Sequence, residues 1–451
     1  MTGSADDGRE ARQRLRRAQR GALIGTMLEG YDFGVYGLAS ALAFPAVFFP
    51  NASPATGVLA SFGAYATGFV ARPVGGLFFS RFGDRYGRKW VLVATLMLMG
   101  TATFAIGLLP GYAQIGIAAP ALLVVLRFLQ GFGAGAEQSG GATLLTESAP
   151  PGRRGRSAAA VMAGGSLGVA LSSGVWLAAQ SISRDALLSW GWRLVFLASI
   201  AVTALAFVLR RKLRESTVFE EIAHGTASAP VLETMRTGKR SVLLATAMCI
   251  GPMSHSYVYL VFFPSFLIQQ VHMSPKLVPA LLLIGPLFGF FAAFLAGRLS
   301  DRWGRRRVYT FILVGSLVMS APAFLLATLG QAVLIAVISI FSALFPVVGA
   351  PAVQASYLPE LFGSRYRYAG CTISREIGSL LGGGFAPLIC SFLVGVFAGS
   401  WIPVAAYMML IMLISILATR LAPETADRDL HLPHDAFGAV RSEKGTVLAA
   451  D

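Results

Sequence analysis

Long stretches without a charged side chain recur along this chain, and they constrain its fold more than any other feature. Residues 90–126, 241–275, 308–359 and 377–419 contain no Asp, Glu, Lys or Arg. A helix crosses the hydrocarbon core of a bilayer with about 20 apolar residues, so the two longest stretches each hold two spans. Only 13% of all residues are charged, whereas a soluble chain carries about 25%. The chain is therefore expected to lie in a lipid bilayer.

The same reading of all 451 residues predicts an all-α membrane protein with twelve transmembrane helices. Their approximate limits are 21–49, 56–80, 90–110, 116–147, 156–182, 192–211, 241–270, 276–298, 308–328, 331–359, 366–396 and 400–420. These spans divide the chain into a basic N-terminal segment (1–20), a six-helix bundle (21–211), an interdomain loop (212–240), a second six-helix bundle (241–420) and a C-terminal tail (421–451). The tail is polar and is expected to be disordered.

Basic residues are concentrated in alternate connections between the spans. Basic residues occupy 9–20, 81–89, 153–156, 210–214, 302–307 and 365–367, whereas the alternate connections hold little beyond Arg184 and Lys276. By the positive-inside rule both termini are cytoplasmic, and we expect a multi-pass protein of a bacterial inner membrane. This pattern also accounts for the net charge of +15 without a nucleic-acid partner.

Two loops repeat one motif at corresponding positions of the two halves. Gly83-Asp-Arg-Tyr-Gly-Arg-Lys89 follows the second span, and Ser300-Asp-Arg-Trp-Gly-Arg-Arg306 follows the eighth. Glu147 and Arg153 after the fourth span likewise correspond to Glu360 and Arg365 after the tenth. Internal repeats of this kind are typical of secondary transporters, whose substrate site lies near the midplane between the repeats.

The first of these loops resembles the signature loop of the major facilitator superfamily. Arg127-Phe-Leu-Gln-Gly-Phe-Gly-Ala-Gly135 is similar to the signature of its fourth helix, and Pro423-Glu-Thr425 to the tail after its twelfth. Glu29-Gly-Tyr-Asp-Phe33, Arg72-Pro-Val-Gly-Gly76 and Ser189-Trp-Gly-Trp-Arg193 resemble the metabolite:proton symporters, which include shikimate, α-ketoglutarate and proline/betaine permeases. The resemblance implies two pseudo-symmetric six-helix bundles around a central cavity.

The two repeated loops are expected to form a latch that holds the outward-facing state. Glycine permits a sharp turn where two helices nearly touch, and each Asp can lie against a helix N-terminus of its own bundle. The arginines can pair with the two glutamates, although a plain positive-inside anchor is the alternative. The predicted latch residues are Gly83, Asp84, Arg85, Gly87, Arg88, Glu147, Asp301, Arg302, Gly304, Arg305 and Glu360.

Ionisable residues inside the spans are candidates for proton coupling, because burying them is costly. Asp32 lies roughly 18 Å from the inner face and Arg127 roughly 16 Å from the outer face, at 1.5 Å per residue. In a core about 30 Å thick the two side chains share one level. We expect them to pair, either as the coupling pair or as a static ion pair. Glu29, Glu137 and Glu376 are further carriers.

The predicted substrate contacts are Tyr36, Gln138, His255, Tyr259, Gln354 and Arg375. Glu29, Asp32 and Tyr36 share one helix face by their spacing. The guanidinium of Arg375 suits a carboxylate, or it pairs internally with Glu376 or a partner in the tenth span. His255 either binds substrate or is a packed residue. Gly30 and Gln138 stand where the related symporters commonly have tryptophan, so a reshaped pocket is expected. Arg72 is assigned a structural role in the inner half, with substrate contact as the alternative.

These features predict import of a small metabolite, an organic acid anion, by proton symport with rocker-switch alternating access. No pattern of residues predicts an enzyme, a metal site or a cofactor; protons are the coupling ion. The expected partners are a carboxylate-bearing small molecule and the lipid bilayer, and the expected functional unit is a monomer. Alternatives are uptake of a zwitterion such as betaine or proline, and export by proton antiport. A transporter-like sensor or a polytopic membrane enzyme represents a different class.

Overall fold

The computed structural model describes residues 3–86, 88–135, 137–211, 238–364 and 367–436. Side chains are described within these ranges except at 3–12, 14, 80–92, 137–139 and 209–211. The described chain is helical throughout its predicted spans. The N-terminal half consists of α1 (Gly3–Leu42), α2 (Pro54–Tyr86), α3 (Arg88–Leu108), α4 (Ala118–Ala134 and Glu137–Ser148), α5 (Arg154–Ala179) and α6 (Arg184–Val208, continuing to Arg211).

The C-terminal half consists of α7 (Lys239–Tyr257, Val258–Phe262 and Phe263–Gln269), α8 (Val278–Trp303), α9 (Arg305–Thr328), α10 (Ala332–Leu361), α11 (Arg367–Val396) and α12 (Ile402–Leu421). Short helices Phe44–Phe48 and Tyr112–Ile115 lie in the connections after α1 and α3. A π-helical turn interrupts each of α6, α7, α10 and α11. Each of the twelve predicted spans coincides with one of these helices.

Seven helices among the described residues are long and apolar enough to span a membrane by length and composition. The helices that fall short include α1 and α2, which carry charged side chains toward the protein interior. Glu29 and Asp32 of α1 and Arg72 of α2 are at most 2% exposed. Large apolar side chains such as Phe291 and Phe311 are instead exposed, as expected for a surface that faces lipid.

Among the described residues, the two halves meet where α5 packs on α8 and α10, α1 on α7, α2 on α11, and α4 on α10 and α11. Small residues allow close approach at these and neighbouring contacts. A Cβ atom on Gly155 of α5 would lie 2.5 Å from the carbonyl oxygen of Gly297 in α8. Within the N-terminal half, a Cβ on Gly168 of α5 would lie 2.0 Å from the carbonyl oxygen of Met27 in α1.

Gly30 belongs to this same packing and not to a substrate pocket. A Cβ atom on Gly30 would lie 2.2 Å from the carbonyl oxygen of Gly165 in α5. The prediction that the lack of tryptophan here reshapes the pocket is therefore wrong for Gly30. The position is small because two backbones touch there.

The predicted disorder of the C-terminal tail is wrong for the residues up to 436. Ala436 donates its backbone N–H to the carbonyl of Leu361 at 2.9 Å, and the carboxylate of Asp435 accepts from the N–H of Gly363 at 3.0 Å. Arg154 of α5 donates to the carbonyl of Arg428 at 2.7 Å. Polar tail residues therefore satisfy backbone groups at one end of the bundle. Residues 437–451, and 212–237 of the predicted interdomain loop, lie outside the described residues.

Candidate functional site

Six buried polar side chains from both halves meet near the middle of the helices; we call them the central cluster. They are Glu29 and Asp32 of α1, Arg72 of α2, Arg127 and Gln130 of α4, and Glu376 of α11, each at most 2% exposed. The spacing of Glu29, Asp32 and Tyr36 places them on one face of α1. That shared face is confirmed, because Glu29 contacts Arg72, Asp32 lies near Gln130, and the Tyr36 ring covers Arg127.

Arg72 lies between two carboxylates and joins the two halves. Its Nε and Nη2 donate to Glu376 Oε2 and Oε1 at 2.7 and 3.2 Å, the two-point geometry that a guanidinium offers a carboxylate. Its Nη1 donates to Glu29 Oε1 at 2.9 Å. The sequence indicated neither contact: Arg72 was assigned a structural role, and residues 72 and 376 are 304 positions apart.

Asp32 is fully buried beside Thr103 and Gln130. Neither of its oxygens accepts a hydrogen bond from the described residues. The expected direct pair with Arg127 is not formed, because Arg127 donates instead to Gln130 Oε1 and weakly to the carbonyl of Tyr65. Gln130 in turn donates to Thr103 at 2.6 Å. Arg127 remains within electrostatic reach of Asp32 without touching it.

Aromatic rings enclose the guanidinium of Arg127. Its central carbon lies 4.7 Å from the ring centre of Phe33 and 4.4 Å from those of Tyr36 and Tyr65. Cation–π contacts at this distance are stabilising where water is excluded. The hydroxyls of Tyr36 and Tyr65 and Arg127 Nη2 are buried without a described hydrogen-bond partner. One edge of this guanidinium can therefore still bind an anion.

The rings of Phe33, Tyr36, Tyr65 and Phe69 pack together, and we call them the aromatic wall. Tyr257 of α7 extends it from the opposite half. Its ring centre lies 4.9 Å from that of Phe69 and 6.3 Å from those of Phe33 and Tyr65. Tyr259, and not Tyr257, was predicted as a substrate contact. Tyr259 packs against Phe324 and Phe263 in the apolar core of the C-terminal half. A π-helical turn begins at Val258, between the two tyrosines, and adds a residue to the helical turn.

Two other predicted substrate contacts already bond within the protein. His255 is fully buried, and its ring nitrogens contact the carbonyl of Gly251 at 3.1 Å and the hydroxyl of Ser320 at 3.0 Å. This arrangement favours the packed-residue alternative for His255. The Gln354 amide nitrogen donates to Tyr309 and to the carbonyl of Met248, whereas its amide oxygen has no described partner.

Arg375 is buried beside the central cluster, within electrostatic reach of Tyr257. Together with Arg72 and Arg127 it gives three buried cations, against three buried carboxylates at positions 29, 32 and 376. The side chains of Glu137 and Gln138, two further predicted site residues, lie outside the described residues.

The second repeated loop joins the two halves at the predicted cytoplasmic end. Asp301 accepts from the backbone N–H groups of Gly155 and Arg156, at 2.7 and 2.8 Å, at the N-terminus of α5. The prediction placed this Asp against a helix of its own bundle, and that is wrong. The close approach of α5 to α8 brings the unpaired N–H groups of the opposite half within reach.

Two ion pairs also lie at this end of the molecule, where the second repeated loop contacts α5. Arg305 donates to both oxygens of Glu360 at 3.0 Å, and Arg367 to Glu147 at 2.6 Å, the latter across the halves. Gly304 adopts a φ of +94° at the turn, which favours glycine. Arg302 is exposed. The predicted latch residues of the first loop, Gly83, Asp84, Arg85, Gly87 and Arg88, lie outside the described side chains.

Comparison with solved structures relates this fold to a known transporter. A structure of the proton:xylose symporter XylE bound to 6-bromo-6-deoxy-D-glucose aligns over 94% of this chain and 98% of the symporter, with a TM-score of 0.71 and 15% sequence identity. An inward-open structure of the xylose transporter from Escherichia coli aligns with a TM-score of 0.68 over 94% of this chain and 99% of that one. These likenesses establish the fold.

Sequence comparison relates the chain to curated transporters. The shikimate transporter of Escherichia coli K12 is 38% identical over 93% of this chain and 97% of its own length. The proline/betaine transporter of the same strain is 32% identical over 98% of this chain and 89% of its own length. The family model described as Major Facilitator Superfamily matches residues 22–374. The chain is a multi-pass membrane protein that transports a metabolite, and it belongs to the major facilitator superfamily.

Proposed function

We propose that this transporter imports a small organic acid anion together with protons across a bacterial inner membrane. The observation that carries the proposal is the state of Asp32, a fully buried carboxylate that forms no ion pair with a described cation and has only the uncharged side chains of Thr103 and Gln130 as neighbouring donors. An unpaired charge in the interior is costly, and uptake of a proton removes that cost. Asp32 is therefore the proposed proton carrier, with Glu29, Glu376 and Glu137 as the competing carboxylates.

The charge balance of the site supports coupling of the proton to an anion. Among the described side chains of the central cluster and Arg375 beside it, the carboxylates at positions 29, 32 and 376 balance the guanidiniums at 72, 127 and 375. An anion that enters alone leaves one uncompensated negative charge in a low-dielectric interior. A proton that enters with it restores neutrality. The arrangement therefore favours symport of a monoanion with one proton.

The aromatic wall favours an anion over a zwitterion. Aromatic faces can bind a quaternary ammonium, and relatives of this chain include a transporter named for proline and betaine. Here three of the faces already surround the cation Arg127, which would repel a substrate ammonium. The shikimate transporter, also a relative, is named for a carboxylate-bearing substrate. Arg127 Nη2 and Arg375 are proposed to attract the anion.

The contacts between the two halves at the predicted cytoplasmic end support a latch. Asp301, Arg305 and Glu360 would hold one side of the transporter closed, together with Glu147 and the first loop, while the substrate enters from the other. The two six-helix bundles, 21–211 and 241–420, would rock about the central cluster. A monomer contains all of these parts, and we propose it as the functional unit.

Proton flux measures the proposed coupling directly. Purified protein in liposomes is mixed with shikimate, 2-oxoglutarate, benzoate or glycine betaine, and an external pH indicator is recorded. Entry of a carboxylate should make the external medium more alkaline, at a rate that follows its uptake. Uptake of the zwitterion glycine betaine without uptake of any of the three anions, or uptake of an anion without alkalinisation, would refute the proposal. Liposomes without protein give the background.

A further inference from the structure

The structure contains a fully built binding site for a carboxylate, which the protein fills with a side chain of its own. Arg72 directs Nε and Nη2 at the two oxygens of Glu376, and both side chains are at most 2% exposed. Any ligand carboxylate needs the same two parallel donors. Glu29 on the neighbouring helix holds the remaining nitrogen, Nη1, and so fixes the orientation of the guanidinium.

Arg127 is a less complete site for a carboxylate. Its guanidinium faces are covered by the rings of Phe33, Tyr36 and Tyr65. Its Nη1 donates to Gln130 and its Nε to the carbonyl of Tyr65. Only Nη2 has no described partner, so Arg127 can contribute a single donor without rearranging its own contacts.

Glu376 differs from Glu29 in the half of the molecule that carries it. Glu29 and Arg72 both belong to the N-terminal half and keep their contact when the halves move as units. Glu376 belongs to α11, which continues three residues later into the π-helical turn Ser379–Gly384. Such turns are often found at functional sites. Withdrawal of Glu376 therefore requires only that α11 shift relative to α2.

We infer that Arg72 binds the carboxylate of the substrate and that Glu376 occupies its place when substrate is absent. The inference rests on the proposed import of an organic acid anion, and it assigns the residue that selects for a carboxylate. When the substrate replaces Glu376 on Arg72, the direct contact between the two halves is replaced by a contact through the ligand. Because an uncompensated buried charge is strongly destabilising, Arg72 exchanges one carboxylate directly for another.

The test measures binding of carboxylates to the purified full-length protein and its variants. Shikimate, benzoate and lactate are the probes, and the methyl ester of each acid controls for contacts that do not involve the carboxylate. Glu376→Gln removes the internal competitor and should tighten binding of the acid by about ten-fold, because a charge-assisted pair replaces a neutral contact. The ester should gain nothing. Asp185→Asn, at an exposed carboxylate, should leave both affinities unchanged.

A second variant shows whether the gain acts through Arg72. Arg72→Lys keeps the charge but loses the two-donor geometry, so Glu376→Gln should give no gain in that background, a non-additivity expected of residues in contact. Glu376→Asp should tighten binding to an intermediate degree, and it decides the question if Glu376→Gln does not fold. Weaker or unchanged binding of the acid in a folded Glu376 variant would overturn this inference. So would a gain in affinity from Glu376→Gln that is equally large in the Arg72→Lys background. Neither result would bear on the proposed function. If the zwitterion glycine betaine binds and none of the three acid anions does, the proposed function itself fails.

Discussion

Two fully buried tyrosines illustrate how the central cluster differs from the structural core. The Tyr309 hydroxyl donates to the carbonyl of Met248 at 2.8 Å, whereas the Tyr65 hydroxyl has no described partner. Both side chains are 0% exposed. A buried polar atom without a partner contributes nothing to stability, so its retention beside Arg127 points to a role in binding.

We therefore expect opposite effects from removing these two hydroxyls. Tyr309→Phe should lower the free energy of unfolding by about 1 kcal/mol, because the hydroxyl loses its bond to the carbonyl of Met248 and the one it accepts from the Gln354 amide. Tyr65→Phe should leave the stability unchanged or raise it, and should reduce the stabilisation that a carboxylate substrate provides. Thermal unfolding in detergent, with and without substrate, measures both quantities. An equal loss of stability in the two variants would contradict this distinction.

At the level of single residues the sequence predicted burial but not partners. Polar side chains at positions 29, 32 and 127 stood out because they interrupt apolar spans. Which of them touch depends on helix rotation and on contacts between residues hundreds of positions apart, such as Arg72 with Glu376. Neither quantity can be obtained from the spacing within one helix. This is why the direct Asp32–Arg127 pair was predicted and Arg72 was not placed in the site.

At the level of helices, backbone contact between α1 and α5 determines where small residues are required. A Cβ atom on Gly168 would lie 2.0 Å from the carbonyl oxygen of Met27 and 2.6 Å from the backbone nitrogen of Tyr31. On the same helix, a Cβ on Gly174 would meet nothing within 4 Å. The two glycines therefore form a matched pair for mutation.

Gly168→Ala should destabilise the protein by about 1–3 kcal/mol, because a packed contact cannot accept the methyl group without moving the helices apart. Gly174→Ala should be neutral or slightly stabilising, since alanine costs less entropy in a helix. The midpoints of thermal unfolding compare the two variants directly. Equal midpoints would show that α1 and α5 do not pack as closely as described.

The contact between α8 and α5 gives a second prediction at this level. Asp301→Asn removes a negative charge from the α5 N-terminus, a contribution of roughly 1–2 kcal/mol, which shifts a two-state population about five- to thirty-fold. Spin labels at Arg153 and Arg307, both exposed, should then report a larger share of long distances. Substrate binding should be retained, because Asp301 is remote from the central cluster.

Asp427→Asn, at an exposed carboxylate near the same end, is the control and should leave the distances unchanged. Loss of substrate binding with unchanged distances in Asp301→Asn would contradict the latch. The sequence predicted the motif and its turn, and Gly304 confirms the turn. It could not predict that Asp301 reaches the opposite half, because that contact exists only once α5 and α8 pack together.

For the whole molecule, hydropathy and the internal repeat predicted membrane-spanning helices in two similar halves, because a bilayer admits few architectures for a chain with such spans. The arrangement of the two bundles around a central cavity came from the resemblance to the major facilitator superfamily. Charge asymmetry also predicts the orientation. A cysteine at Ser274, between α7 and α8, should react with an impermeant thiol reagent in intact cells, whereas one at Lys239 should not. Both positions are exposed, and the three native cysteines are buried. Labelling at position 239 alone would invert the topology.

Proton coupling through Asp32 is the central claim, and one comparison tests it most directly. Asp32→Asn imitates the permanently protonated carboxylate, so liposomes with this variant should not accumulate a carboxylate substrate along a proton gradient. Counterflow exchange of the same substrate should persist in part, because it needs no net proton movement. Asp185→Asn, which removes an exposed carboxylate, should accumulate substrate normally. Accumulation against a gradient by Asp32→Asn, with loss of accumulation in Glu29→Gln or Glu376→Gln, would move the proton site away from Asp32.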